Sequence, residues 1–252
     1  MIGPLLTTKL HVPPMPSTLI ARRDLLAQLD DDLAAGRVTL ISAPAGYGKT
    51  TLVAQWIGRL RQMVEARGRS PYPHIAWLSL DEEDNDETRF LTYLTVALQF
   101  AAPVAASTCL AALQPGSACS PEMLLTTLIE EIQNHGVSTA LVLDDFHHIR
   151  NSAIHDALAF LCTHQPESLH CLILTRTDPP LPVALLRSRG RLRELRQQDL
   201  ALSSEESLAF VHDVYGLALP AETGALLAER TEGWVAGLQI AGRALQREPD
   251  TT

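Results

Sequence analysis

Cysteine is scarce and scattered in this chain. Cys109, Cys119, Cys162 and Cys171 form no CxxC pair and no extracellular disulfide framework, so they read as buried or incidental thiols. Positive charge is also short, and a formal net charge of -9 argues against these residues gripping nucleic acid by themselves. No stretch approaches the roughly 20 consecutive apolar residues of a membrane span. The opening "MIGPLLTTKL" lacks a basic segment followed by a long apolar run. The expectation is a cytoplasmic location, with no direct nucleic-acid contact and no membrane contact by this chain. There is no internal repeat and no low-complexity tract, only a proline-rich arm, "HVPPMPS".

What is present is a core and an alternation. With 252 residues, 46% of them apolar, the chain is long enough for one sizeable α/β domain plus a small appendage. "RVTLIS", "HIAWLSL", "TALVLDD", "LHCLILTR" and "RLRELR" read as strands. Between them "TTLVAQWIGRL", "TRFLTYLTVALQF", "SPEMLLTTLIEEIQNHG" and "SAIHDALAFLCTH" read as helices. The third of these helices carries a serine cap, proline at its first position and glycine beyond its end. Continuous apolar strands separated by helices predict a five-stranded parallel sheet covered on both faces, an α/β three-layer fold. After "RLRELR" the strands stop, and "SSEESLAFVHDVYG", "PAETGALLAERTEG" and "WVAGLQIAGRALQ" predict a small all-α domain. Its first serines and glutamates suit a helix N-terminus. The expected boundaries are an N-terminal arm over 1–20, a nucleotide-binding domain over 21–199 and a helical domain over 200–252. "ASTCLAALQPGSACS" reads as a loop around Pro115.

"SAPAGYGKTT" sits between the first strand and the first strong helix. A glycine-rich turn that opens a helix aims backbone N–H groups and the positive end of the helix dipole at one point, where phosphate binds. The phosphate-contacting stretch is Ala45, Gly46, Tyr47, Gly48, Lys49, Thr50 and Thr51. Gly46 and Gly48 permit the turn, Lys49 reaches the β and γ phosphates, and Thr50 places its hydroxyl on Mg²⁺. Ala43 stands where the GxxxxGK[ST] pattern has glycine, and alanine serves there if its φ is negative. "LVLDD" supplies Asp144 for the Mg²⁺ shell and Asp145 to orient or deprotonate water. "LTRTD" puts Thr175 and Arg176 at the carboxyl edge of the sheet, where Arg176 can sense a γ-phosphate or stand as a solvated surface residue.

Three features carry less. "DEEDNDE", Asp81 to Glu87, lacks the spaced ligands and glycine of a calcium loop and reads as a solvated loop capping the next helix. His147, His148 and His155 lack zinc spacing. In "RSRGRLRELR", Arg187, Arg189 and Arg191 are weak anion-site candidates.

Taken together, "KLHVPP", "SAPAGYGKTTLVAQW", "WLSLDEEDNDETRFLTYL", "LVLDDFHHI", "LILTRTDPPLP" and "TEGWVAGLQIAGRAL" resemble one family. It is the N-terminal nucleotide-binding oligomerisation module of MalT-like, LuxR-family ATP-dependent transcriptional activators, members of the STAND class of P-loop NTPases. The resemblance implies a sheet ordered 5-1-4-3-2, ATP/ADP and Mg²⁺ as cofactors, and adenine as the base. It places Arg23 of "IARRDLL" at the base, Arg176 as sensor arginine, and the stretch from Gly237 to Gln239 near the nucleotide; related switch ATPases often carry proline where Gln239 stands. It further implies self-association when ATP is bound, and an effector and DNA read by regions absent from these residues. Two readings stand beside a switch with slow hydrolysis: a P-loop kinase or DNA-loading ATPase acting on a substrate, and a scaffold that binds nucleotide without hydrolysing it.

Overall fold

The computed structural model of the chain describes residues 5–16, 19–67, 73–102, 109 and 120–247. The loop expected around Pro115 and Cys119 lies outside the described residues apart from Cys109 and Ser120. After a 3-10 turn at Thr7–Leu10 the order is α1 (Arg23–Ala34), β1 (Val38–Ser42), α2 (Lys49–Arg67), β2 (His74–Ser79) and α3 (Glu87–Ala101). Then follow α4 (Pro121–His135), β3 (Thr139–Asp144), α5 (Ser152–His164), β4 (Leu169–Thr175), α6 (Val183–Ser188) and β5 (Leu192–Arg196). The chain continues with α7 (Gln197–Leu200), α8 (Ser204–Tyr215), α9 (Ala221–Thr231) and α10 (Val235–Arg247).

All strand pairs are parallel, in the order β2-β3-β4-β1-β5, which is the expected order seen from the opposite edge. The three inner strands are buried at every residue, whereas β2 and β5 are only partly so, as edge strands are. Side chains alternate between faces. Leu40, Leu141, Leu143 and Ile173 pack with Leu94, Leu128 and Leu158 of α3, α4 and α5. Ile41, Val142, Leu172 and Leu174 pack with Leu29, Val53 and Trp56 of α1 and α2. A third, smaller cluster, Leu202, Phe210, Val211 and Leu238, holds the helical segment together, with Ile20 of the arm packed against it.

The end signals act as their chemistry requires. Ser120 accepts from the Met123 amide, Pro121 opens α4, and Gly136 leaves it at φ 69°. Ser203 and Glu206 form a reciprocal capping box at α8.

The acidic loop departs from expectation. Asp86 does cap α3, but Asp84 is fully buried rather than solvated. Lys9 of the arm reaches Asp84 at 2.6 Å and Asp81 at 2.7 Å, and Arg89 reaches Asp84 at 3.1 Å. A carboxylate out of water needs such partners. The loop therefore anchors the N-terminal arm. Cys109, Cys162 and Cys171 are buried. Among the described residues, no helix is long and apolar enough to cross a membrane.

Candidate nucleotide site

β1 delivers the chain to the carboxyl edge of the sheet, and the pairing runs one residue past it: the Ala43 amide donates to the Thr175 carbonyl at 3.2 Å. Ala43 is 2% exposed, and among the described non-glycine residues only Asp145 and Glu232 have positive φ. The position thus asks for a small side chain rather than a left-handed backbone, which is why alanine serves. Gly46 and Gly48, at φ 84° and 79°, are the two positions where the turn does need glycine.

α2 opens at Lys49, leaving first-turn amides without helical partners. The buried Lys49 side chain bends back so that Nζ donates to the carbonyls of Ala43 at 2.7 Å and Pro44 at 3.0 Å. Burial pulls its pKa down, with Arg176 adding to the effect and Asp145 and Asp144 opposing it. The Thr50 hydroxyl donates to both oxygens of Asp144, each at 3.1 Å.

Asp144 is the last residue of β3, in register with Ser79. It is 4% exposed, and burial with Asp145 beside it pushes its pKa up to about 6, against hydrogen bonds from Thr50 and the Asp145 amide. Asp145 turns into the left-handed region at φ 56° and directs a half-exposed carboxylate outward, 3.7 Å from His147 Nδ1. The ring nitrogens of His147 have no hydrogen-bond partner, and burial lowers its pKa. Arg176 is exposed just beyond β4, near enough to bear on both Lys49 and His147.

The donor set suits a Mg²⁺-nucleotide. Thr50 and Asp144 bring hard oxygens together and could hold a divalent cation, which would relieve the cost of a buried carboxylate. The exposed amides at the α2 terminus and the Lys49 ammonium suit phosphate.

Beside the loop lies a cavity of 150 Å³, walled by Leu19, Ile20, Leu25, Leu52, Phe210 and Val235 and reaching Gly48 and Thr51. An apolar slot next to a phosphate cradle suits a nucleobase. Arg22, not Arg23, lines it: its guanidinium donates to the carbonyls of Leu200 at 2.7 Å and Asp199 at 2.8 Å and pairs with Glu206 at 3.1 Å. Arg23 is exposed on the first turn of α1. Gln239 also lines this cavity, while Gly237 lines a second one of 430 Å³ with Tyr47, Arg230 and Trp234.

The helical segment touches the phosphate loop directly. The Trp234 indole donates to the Ala45 carbonyl at 2.8 Å, the Ala236 amide donates to the Gly46 carbonyl at 3.1 Å, and Gln197 Nε2 donates to the Tyr47 hydroxyl at 2.8 Å. A Cβ on Gly46 would stand 2.5 Å from Trp234 Nε1, so glycine is required there by contact as well as by φ. Sequence reasoning marked "TEGWVAGLQ" as a motif without assigning Trp234 this contact. Of the remaining candidates, His147 stacks on His148 at 4.3 Å between centroids, while His155 bonds the Ile149 carbonyl at 3.1 Å. Arg187 is engaged by Glu194 at 2.5 Å, Arg191 by the Gln165 carbonyl at 2.6 Å, and Arg189 is exposed.

A parallel sheet in this order, with a lysine-bearing glycine loop after β1 and paired aspartates at the end of β3, defines a P-loop nucleotide-binding protein of the α/β class. The chain belongs to the AAA ATPase domain family, whose model matches residues 18–174. It is 38% identical over 250 residues to an HTH-type transcriptional regulator MalT of Yersinia pestis (strain Pestoides F), covering 98% of this chain and 26% of that protein. A MalT of Yersinia enterocolitica is equally similar. The chain thus spans about a quarter of the length of these relatives. Among solved structures, a Signal Transduction ATPase with Numerous Domains (STAND) with a tetratricopeptide repeat sensor, from Pyrococcus horikoshii, superposes with a TM-score of 0.64 at 18% identity. That alignment covers 96% of this chain and 32% of that one. A Walker-type ATPase of Pyrococcus abyssi gives 0.55 at 15% identity, over 94% and 70%. These two likenesses show the shared fold.

Proposed function

We propose that this chain is the ATP/ADP-binding switch module of a signal-regulated transcriptional activator, with Mg²⁺ held by Thr50 and Asp144. The observation that carries the proposal is the helical segment hydrogen-bonded to the phosphate loop through Trp234 and Ala236, beside a complete Lys49, Thr50 and Asp144 set. A site whose wall is a separate helical unit can tie the position of that unit to the nucleotide it holds. Lys49 would neutralise phosphate charge, Asp145 would orient the attacking water, and Arg176 would meet the γ-phosphate. Arg22 would fix the wall of the base cavity through the α7 carbonyls rather than by touching the base. Held by Thr50 and Asp144, Mg²⁺ would supply neutralisation of phosphate charge.

The similarity to MalT supports the regulator reading, and DNA and effector recognition would reside in regions outside these residues. ATP-dependent self-association, slow hydrolysis and a cytoplasmic location complete the proposal. Calorimetry with ADP and ATP in Mg²⁺, alongside size-exclusion chromatography in each nucleotide, tests it. The expected result is one adenine nucleotide per chain, and a larger species only with ATP. Absence of binding overturns it, and rapid effector-free turnover or phosphate transfer to an acceptor points to a stand-alone ATPase or kinase instead.

A further inference from the structure

The contact between the helical segment and the phosphate loop has a directional property. The Trp234 indole and the Ala236 amide bind two successive carbonyls, those of Ala45 and Gly46. A trans peptide holds its C=O and its N–H in one rigid plane, pointing in opposite directions. Fixing the Ala45 oxygen therefore fixes the Gly46 N–H, and fixing the Gly46 oxygen fixes the Tyr47 N–H. Both amides are turned away from the helical segment. These are loop amides of the kind that cradle phosphate. Gly46 and Gly48 leave this stretch the most conformationally free part of the loop, so its peptide planes need an outside constraint.

From this geometry we infer that Trp234 is a positioning residue for phosphate binding, one that orients the Gly46 and Tyr47 amides from outside the loop and so slows nucleotide release. The inference rests on the nucleotide-binding reading above and adds to it how the helical segment controls the site. Trp234 is suited to the task. Of the three tryptophans, Trp56 donates to Asp30 and Trp77 to Ser79, both within the core domain, and only Trp234 donates to the phosphate loop. Its ring lies close enough to leave no room for a Cβ at Gly46, and Tyr47 is held in turn by Gln197 at the start of the helical run. The loop is thus gripped at Ala45, Gly46 and Tyr47 while Thr50 is bonded to Asp144 at the end of β3 and Lys49 to the Ala43 and Pro44 carbonyls.

The test loads radiolabelled ADP with Mg²⁺ onto the 252-residue chain and follows its release into excess unlabelled ADP. Trp234→Phe keeps a ring and removes the donor. Release should quicken by about fivefold to tenfold, as loss of one hydrogen bond implies, with the association rate and the melting midpoint of the nucleotide-free chain unchanged. Release at the unsubstituted rate overturns the inference. A reading without substitution guards against a folding failure. Because coupling is reciprocal, ADP should raise the protection of the Trp234 indole N–H from solvent exchange. An indole that ADP leaves unaffected overturns the inference while the nucleotide reading stands. If the unsubstituted chain retains no labelled ADP, both readings fall.

Discussion

Two buried carboxylates at opposite edges of the same sheet have opposite surroundings. At the amino edge, Asp32 is fully buried and bound by Arg193 at 2.6 Å, Arg37 at 3.1 Å and the Thr39 hydroxyl at 2.9 Å. Thr39 in turn meets His170, which burial holds neutral with a pKa of about 3. At the carboxyl edge, Asp144 is nearly as buried, yet its partners are one hydroxyl and one amide, and Asp145 repels it. The nearby ammonium of Lys49 is bonded to carbonyls rather than to either acid. At the first edge the carboxylate itself is satisfied by protein groups. The second holds donors, acids and an amide cradle whose natural complement is a phosphate with its cation.

This contrast can be broken from either side. Asp145→Asn should have the largest effect, lowering ATP turnover by about a thousandfold, the middle of the range for a positioned acid or base, with nucleotide affinity retained. Turnover assays beside calorimetry check it. Asp32→Ala comes next: it strands two guanidiniums and should cost about 3 kcal/mol in denaturant unfolding while leaving the nucleotide affinity of the folded fraction alone. Lys49→Ala should do the reverse, weakening nucleotide binding by about a hundredfold as charge-assisted bonds to phosphate are lost, with little change in stability. The smallest pair is the most discriminating. Arg22→Ala should cost about 1 kcal/mol of stability by releasing the α7 carbonyls, whereas the exposed Arg23→Ala should change neither stability nor nucleotide affinity beyond about 0.5 kcal/mol.

Much of the fold is legible because its signals are local. The apolar runs of β1, β3 and β4, the Ser120-Pro121-Gly136 frame of α4 and the Ser203–Glu206 box are each written in a few adjacent residues. The phosphate loop is local too, and its departure at Ala43 is explained by a buried, non-left-handed position. What the sequence hides is long-range. Nothing near Asp84 announces that Lys9, 75 residues earlier, removes it from water. Nothing in "IARRDLL" says which arginine faces α7, since one residue of helix phase decides between Arg22 and Arg23. Trp234 and Ala45 meet across 189 residues, where Trp234 packs against the second hydrophobic cluster, which also holds Tyr47 of the loop.

The most direct test of this account is equilibrium calorimetry of ADP with Mg²⁺ against the unsubstituted chain and Lys49→Ala. The account predicts a single site in the first, and binding weakened by about a hundredfold in the second with the melting midpoint retained. Equal affinity in both, or no binding to the unsubstituted chain, would contradict it.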